Sequence, residues 1–211
     1  MSIVKRGVCI QLCAVNNSGK STQLDLLVQY LRKKGIVVSY FKFPLYEGEQ
    51  GRLNQLYLKD AEYRKKFQEE HPDAEILVAK AINQGYVDMN EKFEKLLASG
   101  EWIILEGGIL DAAVWSMLHG MREEVVLADL AKVTYGDIGV LLNEKQGRRF
   151  VKAIEKGHLN EENETRTQEA RSSMLRLKDK IWFPYIQVDF EIDEPKEVIF
   201  ERLLQSLHQY I

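Results

Sequence analysis

Cysteine is nearly absent from this chain: Cys9 and Cys13 are the only two in 211 residues. They lie four residues apart on one short apolar run, a poor geometry for a disulfide. A cross-linked secreted scaffold is therefore not expected, and the pair reads as buried thiols of a reducing compartment. Proline is also scarce, at four residues, and no low-complexity stretch occurs; both argue against a disordered or polyproline-rich chain. No apolar run approaches the ~20 residues needed to span a bilayer. The lead from Met1 to Gly7 carries no apolar signal core, so the expectation is a cytoplasmic protein with no membrane partner. Neither charge sign dominates: 29 Lys and Arg against 32 Asp and Glu leave a net charge of −3. That balance speaks against a general nucleic-acid binder. What remains is a globular composition, 45% apolar, long enough for one domain over 1–211 with a sizeable core.

Against that plain background one stretch stands out. Ala14-Val15-Asn16-Asn17-Ser18-Gly19-Lys20-Ser21 fits the phosphate-loop pattern [AG]-x4-G-K-[ST]. Val8 to Cys13 before it is mostly apolar and strand-length. Leu24, Leu27, Val28 and Leu31 after it repeat at helical spacing. A loop that wraps backbone N–H groups around a phosphate needs residues tolerant of positive φ; Gly19 meets that need, and Asn16 and Asn17 are the next best choices. The following helix points its positive end at the same anion. The expected phosphate-binding set is Asn16, Asn17, Ser18, Gly19, Lys20, Ser21 and Thr22. Within it, Lys20 would bridge the β- and γ-phosphates of ATP, and the Ser21 hydroxyl would ligate Mg²⁺.

Read onward, the chain alternates strand and helix. Ile36 to Phe43 is β-branched and aromatic and stops at Pro44; Pro44 to Arg52 reads as a loop and Leu53 to Leu58 as a short helix. Lys59 to His71 reads as a charged connection, and one long helical pattern follows from Ala74 to Ala98, with Gly85 as a kink or a point of close packing. Trp102 to Leu105 is a buried strand ending at Glu106-Gly107-Gly108, and helices are expected at 111–119 and 123–132. Ile138 to Leu142 is the next strand, with a charged segment to Asn160, a helix over 163–180 and a strand over 186–190. A last helix opens at Pro195, with Val198, Leu203, Leu204 and Leu207 inward. This alternation predicts an α/β fold with a five-stranded parallel sheet and helices on both faces.

Three further groups of residues attract a functional reading, each beside a plainer one. Glu106 should face the phosphate loop and hold Mg²⁺ through water; the alternative is an exposed acid at a strand end. Gly107, with Gly108, would let a ligand approach the backbone closely. Arg148 and Arg149 sit in a segment, approximately 144–162, that could fold over ATP as a short lid and supply a guanidinium to the transferring phosphoryl group. The same segment also reads as a solvated amphipathic helix with Phe150, Val151 and Ile154 inward. Phe43, Pro44, Tyr46 and Arg52 could shape an acceptor pocket, or be ordinary loop packing and surface charge. Trp115 reads as core, and His158, which has no partner at metal-ligand spacing, as a surface histidine.

Taken together, the chain resembles the thymidylate kinase family over nearly its full length. Gly19-Lys20-Ser21-Thr22-Gln23 is similar to that family's signature, as are Phe43-Pro44, Gly51 and Tyr57-Leu58, and the helix end and strand over Ala98 to Leu105. The resemblance places the catalytic arginine in the lid, at Arg148-Arg149, with Asn17 where another subtype carries a loop arginine. It implies the P-loop kinase fold, ATP- and Mg²⁺-dependent conversion of dTMP to dTDP, and a homodimer. Departures fall on the acceptor side. The family's Asp-Arg-Tyr reads Glu106-Gly107-Gly108, its loop acid reads Asn16, its phosphate-holding arginine is missing near Tyr46, and its Asn/Asp-Arg pair reads Asn83-Gln84. Donor features are intact and acceptor features eroded. Nucleotide substrates are thus expected, with a nucleoside or modified-nucleotide kinase, or a non-catalytic ATP-binding module of the same fold, as alternatives.

Overall fold

A computed structural model describes residues 5–15, 18–46, 48–145, 161–191 and 193–211, with the backbone alone for 161–164. Five parallel strands form one sheet in the order β2-β3-β1-β4-β5: β1 Cys9–Cys13, β2 Val38–Lys42, β3 Trp102–Glu106, β4 Ile138–Glu144 and β5 Tyr185–Phe190. Every residue of β1 and β4 is buried, which is what a parallel strand covered on both faces requires. Residue alternation sends Cys9, Cys13, Ile103 and Leu105 into one core, and Ile10, Leu12, Ile104, Val140 and Val188 into the other. Helix α1 (Lys20–Lys33) covers the second face with Leu24, Leu27, Val28 and Leu31; burying each such side chain contributes about 1.5–3 kcal/mol. The other face carries the long middle of the chain.

That middle departs from the sequence expectation at four points. Helix α2 runs over Gly48–Lys59, so the expected loop ends before Gly48 rather than at Arg52. The charged connection is itself a helix, α3 (Ala61–Glu70), with no buried residue to give it an apolar stripe. It starts because the Asp60 side chain accepts from the Glu62 and Tyr63 backbone N–H groups, both at 3.0 Å. The single long helix divides at Met89 into α4 (Ala74–Asp88) and α5 (Asn90–Ala98). Gly85 neither breaks it nor packs closely, since a Cβ there would meet nothing within 4 Å. Helices α6 (Ile109–Leu118) and α7 (Glu123–Leu130) then lead to β4. Helix α8 (Glu161–Leu177) is followed by a 3₁₀ turn at Lys178–Lys180.

At the end of the chain, α9 (Lys196–Leu207) buries Ile199, Leu203 and Leu207. Val198 is not inward as expected but 40% exposed, because the helix phase gives its place to Ile199. Cys9 and Cys13 are buried free thiols, as anticipated; burial pushes both well above the usual thiol range. No helix among the described residues is long and apolar enough to cross a membrane.

Candidate active site

The carboxyl ends of β1, β3 and β2 meet at one edge of the sheet, where an open α/β fold binds its ligands. The phosphate loop leaves β1 there. Gly19 caps α1 in the left-handed region at φ 84°, and its carbonyl accepts the Gln23 N–H at 3.1 Å. The first turn of α1 holds no acidic residue, so nothing of this helix's own neutralises its positive end. Ser18 is buried with an unpartnered hydroxyl, whereas Ser21 and Thr22 are exposed. Asn16 and Asn17 lie outside the described residues.

Lys20 does not point into empty space. Its Nζ donates to Asp111 Oδ1 at 3.0 Å and to the Ala14 carbonyl at 3.3 Å. Burial acts to lower its proton affinity, but Asp111, with Cys13 and Glu106 behind it, outweighs that and holds the pKa above the ordinary value. Asp111 is in turn fixed by the start of α6, where its Oδ2 accepts the Gly108 N–H at 3.0 Å. The sequence gives Asp111 only a faint signal as a functional residue. Its signal was half of a capping box, an acid three residues after the helix start in Gly108-Ile109-Leu110-Asp111.

Glu106 closes the other wall. Register pairs it with Leu12 of β1 on one side and Lys42 of β2 on the other. Its side chain therefore shares the α1 face with Ser21, Tyr40 and Lys42. Oε1 accepts from Ser21 Oγ and from Lys42 Nζ, both at 2.8 Å, and Oε2 accepts from the Tyr40 hydroxyl. Burial alone would raise its pKa; the three donors, Lys42 foremost, reverse the direction and keep it below the usual carboxylate value. The exposed-acid alternative fails on burial, since the residue is 5% exposed. Tyr40 responds oppositely: desolvation and its bond to Glu106 push its hydroxyl well up. Tyr40 and Lys42 were also missed, although their i, i+2 spacing on a strand announced a shared face.

The residues expected at the acceptor side are more dispersed. Phe43 is buried and its ring already stacks on Tyr86, centroids 3.8 Å apart, so that face is not open to a base. Pro44 follows a cis peptide bond and is half-buried. Tyr46 is exposed with the Lys59 ammonium 4.2 Å over its ring, and Arg52 is exposed on α2. The glycine pair answers to packing. Gly107 has φ +83° and a Cβ there would lie 3.2 Å from the Phe43 carbonyl; a Cβ on Gly108 would strike Cys13 Sγ at 2.6 Å. Tyr86, buried, donates to both glycine carbonyls at 3.0 and 3.1 Å and locks this turn to α4. Trp115 is half-buried and stacks on His119.

Arg148, Arg149 and His158 fall outside the described residues, as does most of the expected lid. At its near boundary Glu144 belongs to β4 and is buried, and at its far boundary 161 and 162 open α8. A separate cleft of about 350 Å³ between α3, α4 and His119 shares no lining residue with the phosphate loop.

Whether Mg²⁺ suits this site can be judged from its donor set. A hydroxyl and an ionised carboxylate already meet at 2.8 Å, both hard oxygen donors, beside the helix end where phosphates would bring more. Among the described residues no cluster of three or more His, Cys, Asp or Glu could cage a metal. A cation shared with bound phosphates therefore fits, and an all-protein metal site does not.

Comparison with known proteins agrees with this fold. The thymidylate kinase family model matches residues 15–199. No curated protein sequence matches the chain. Among solved structures, the thymidylate kinase of Candida albicans is similar in fold, with a TM-score of 0.69 at 17% identity, over 97% of this chain and 92% of that one. With residues 15–199 matched, most of its length, the chain belongs to the thymidylate kinase family.

Proposed function

We propose that this protein transfers the γ-phosphoryl group of ATP to a nucleoside monophosphate, with dTMP the acceptor its family suggests. The observation that carries the reading is the convergence of Lys20, Ser21 and ionised Glu106 on the amino end of α1. In the reaction an acceptor phosphate oxygen bonds to Pγ, the bond from Pγ to the β,γ-bridging oxygen breaks, and ADP leaves. Lys20 exchanges Asp111 for the β- and γ-phosphates, while the loop amides and the end of α1 orient them. Ser21 and Glu106 would hold Mg²⁺, which when bound neutralises phosphate charge. Arg148 and Arg149 would meet charge developing on the transferring group. The two buried free thiols suit a reducing cytoplasm, where we place the protein, and the family resemblance suggests a homodimer.

A nucleoside kinase with Glu106 as base is the weaker reading. A base must accept a proton, and Glu106 is held ionised by three donors with its pKa lowered. The Candida albicans relative is described as having broad substrate specificity, so the test should be broad. Nucleosides and monophosphates of all common bases, assayed for ATP-dependent product, should yield a diphosphate from at least one monophosphate. ATP and Mg²⁺ binding with no product across the panel would replace the kinase by a non-catalytic module.

A further inference from the structure

The ion pair between Lys42 and Glu106 is unequal in a way that a static salt bridge does not need. The Glu106 side chain, at the carboxyl end of β3, is 6% exposed, whereas that of Lys42 is 65% exposed. One partner is fixed and the other is an arm in solvent. The ammonium rests on Glu106 Oε1, the same oxygen that the Ser21 hydroxyl reaches. It therefore occupies the carboxylate that a nucleotide-bound cation would share with Ser21. Beyond Glu106, β3 continues into Gly107-Gly108 and contributes no cation of its own to the acceptor edge.

We propose that Lys42 is a counter-ion that changes partner: it neutralises Glu106 in the empty protein, yields the carboxylate to Mg²⁺, and then holds the phosphate of the incoming acceptor. This rests on the kinase reading above and adds to it the residue that receives the acceptor phosphate. A nearly buried carboxylate without a cation is costly, so something positive must stand beside it before the metal arrives. Once a divalent ion takes Glu106, two cations a few ångströms apart repel, and the mobile one leaves. A lysine suits this duty, being a point charge on a four-carbon stem, where a planar arginine would lock onto the carboxylate through two bonds. The register holds the base of the arm directly opposite Glu106, one residue before Phe43 and level with the turn at Gly107. The anion that arrives at that edge is the acceptor's phosphate.

The test needs no turnover. Binding of a non-hydrolysable ATP analogue is followed by thermal shift and calorimetry across a Mg²⁺ titration, for wild type, Lys42→Met and Lys42→Arg. Lys42→Met should lower the Mg²⁺ concentration at half-maximal binding by roughly two- to fivefold, the scale of an ion pair whose cation stands in solvent. With the Mg²⁺–analogue complex formed, dTMP, dCMP, dAMP and dGMP are each compared with their own nucleosides by calorimetry. The preference for monophosphate over nucleoside should fall about ten- to a hundredfold in Lys42→Met, the worth of one charge-assisted hydrogen bond. Lys42→Arg should keep most of that preference while raising the Mg²⁺ requirement. An unchanged Mg²⁺ midpoint or an unchanged phosphate preference in Lys42→Met overturns the proposal, as does a wild type with no phosphate preference. A wild type whose analogue binding ignores Mg²⁺ overturns the donor-site reading itself, a separate result.

Discussion

The two walls of the cleft are built on opposite plans. On the proposed donor wall, Ser21, Lys20, Asp111 and Glu106 come from three segments of chain and meet in two pairs, Lys20 with Asp111 at 3.0 Å and Ser21 with Glu106 at 2.8 Å. On the acceptor wall, Phe43 faces a protein ring, Tyr46 and Arg52 look outward, and position 107 has no side chain. On the proposed reading, charge-bearing groups that would meet a triphosphate are tied together, while groups that would select an acceptor are left loose or replaced by packing. Family membership rests on residues 15–199, but the contacts that favour the proposed chemistry lie chiefly on the first wall.

The most demanding test of that contrast is Arg148→Ala with Arg149→Ala. If the pair serves the transferring group, turnover should fall roughly 10³–10⁵-fold while ATP affinity changes little, since ground-state phosphates are already held elsewhere. Steady-state kinetics beside calorimetry separate the two quantities; a double variant that keeps its full rate removes the lid from the mechanism.

Lys20→Ala probes the donor wall directly. Two charge-assisted hydrogen bonds to phosphate, at about 1.5–3 kcal/mol each, correspond to a loss of roughly two to four powers of ten in ATP affinity. The ATP-induced rise in melting temperature should vanish with it. Survival of the shift would move the nucleotide to another place on the protein.

Gly107→Arg asks whether the acceptor wall can be rebuilt by restoring one side chain. With φ at +83° and the Phe43 carbonyl 3.2 Å from the new Cβ, the substitution should cost about 1–2 kcal/mol of stability. A denaturant melt that shows no loss would mean the turn has shifted, and the wall is more adaptable than its packing suggests.

The smallest effect expected is the acid limb of stability. Glu106 has a folded-state pKa below its ordinary 4.5. Its ionised form therefore contributes stability present above that pH, and lost as pH falls through the folded value. Glu106→Gln removes this component, so the gap between wild type and variant should narrow on acidification below pH 4.5. A gap that widens there would assign the opposite sign to the shift.

Much of this was legible in the residues because the signals were local. Strand, glycine loop and amphipathic helix follow one another within Val8 to Leu31, and each part carries its own pattern of burial or φ preference. Helix α3 was not legible, since a helix with no buried residue shows no apolar period, and a single cap at Asp60 is a faint signal. Intrinsic propensity is weakest at Gly85 and points to a break there, but the long helix divides at Met89 instead.

By itself the sequence determined the alternation of strand and helix, the parallel sheet and the position of the phosphate loop, since periodicity and glycine placement act over a few residues. Tertiary structure alone decided the company those residues keep. Lys20 meets Asp111 across 91 positions of chain and Lys42 meets Glu106 across 64. Which distant charges become neighbours depends on the strand order β2-β3-β1-β4-β5 and on register. An ion pair leaves no periodic trace in either of the segments it joins, so only the folded sheet brings it to view.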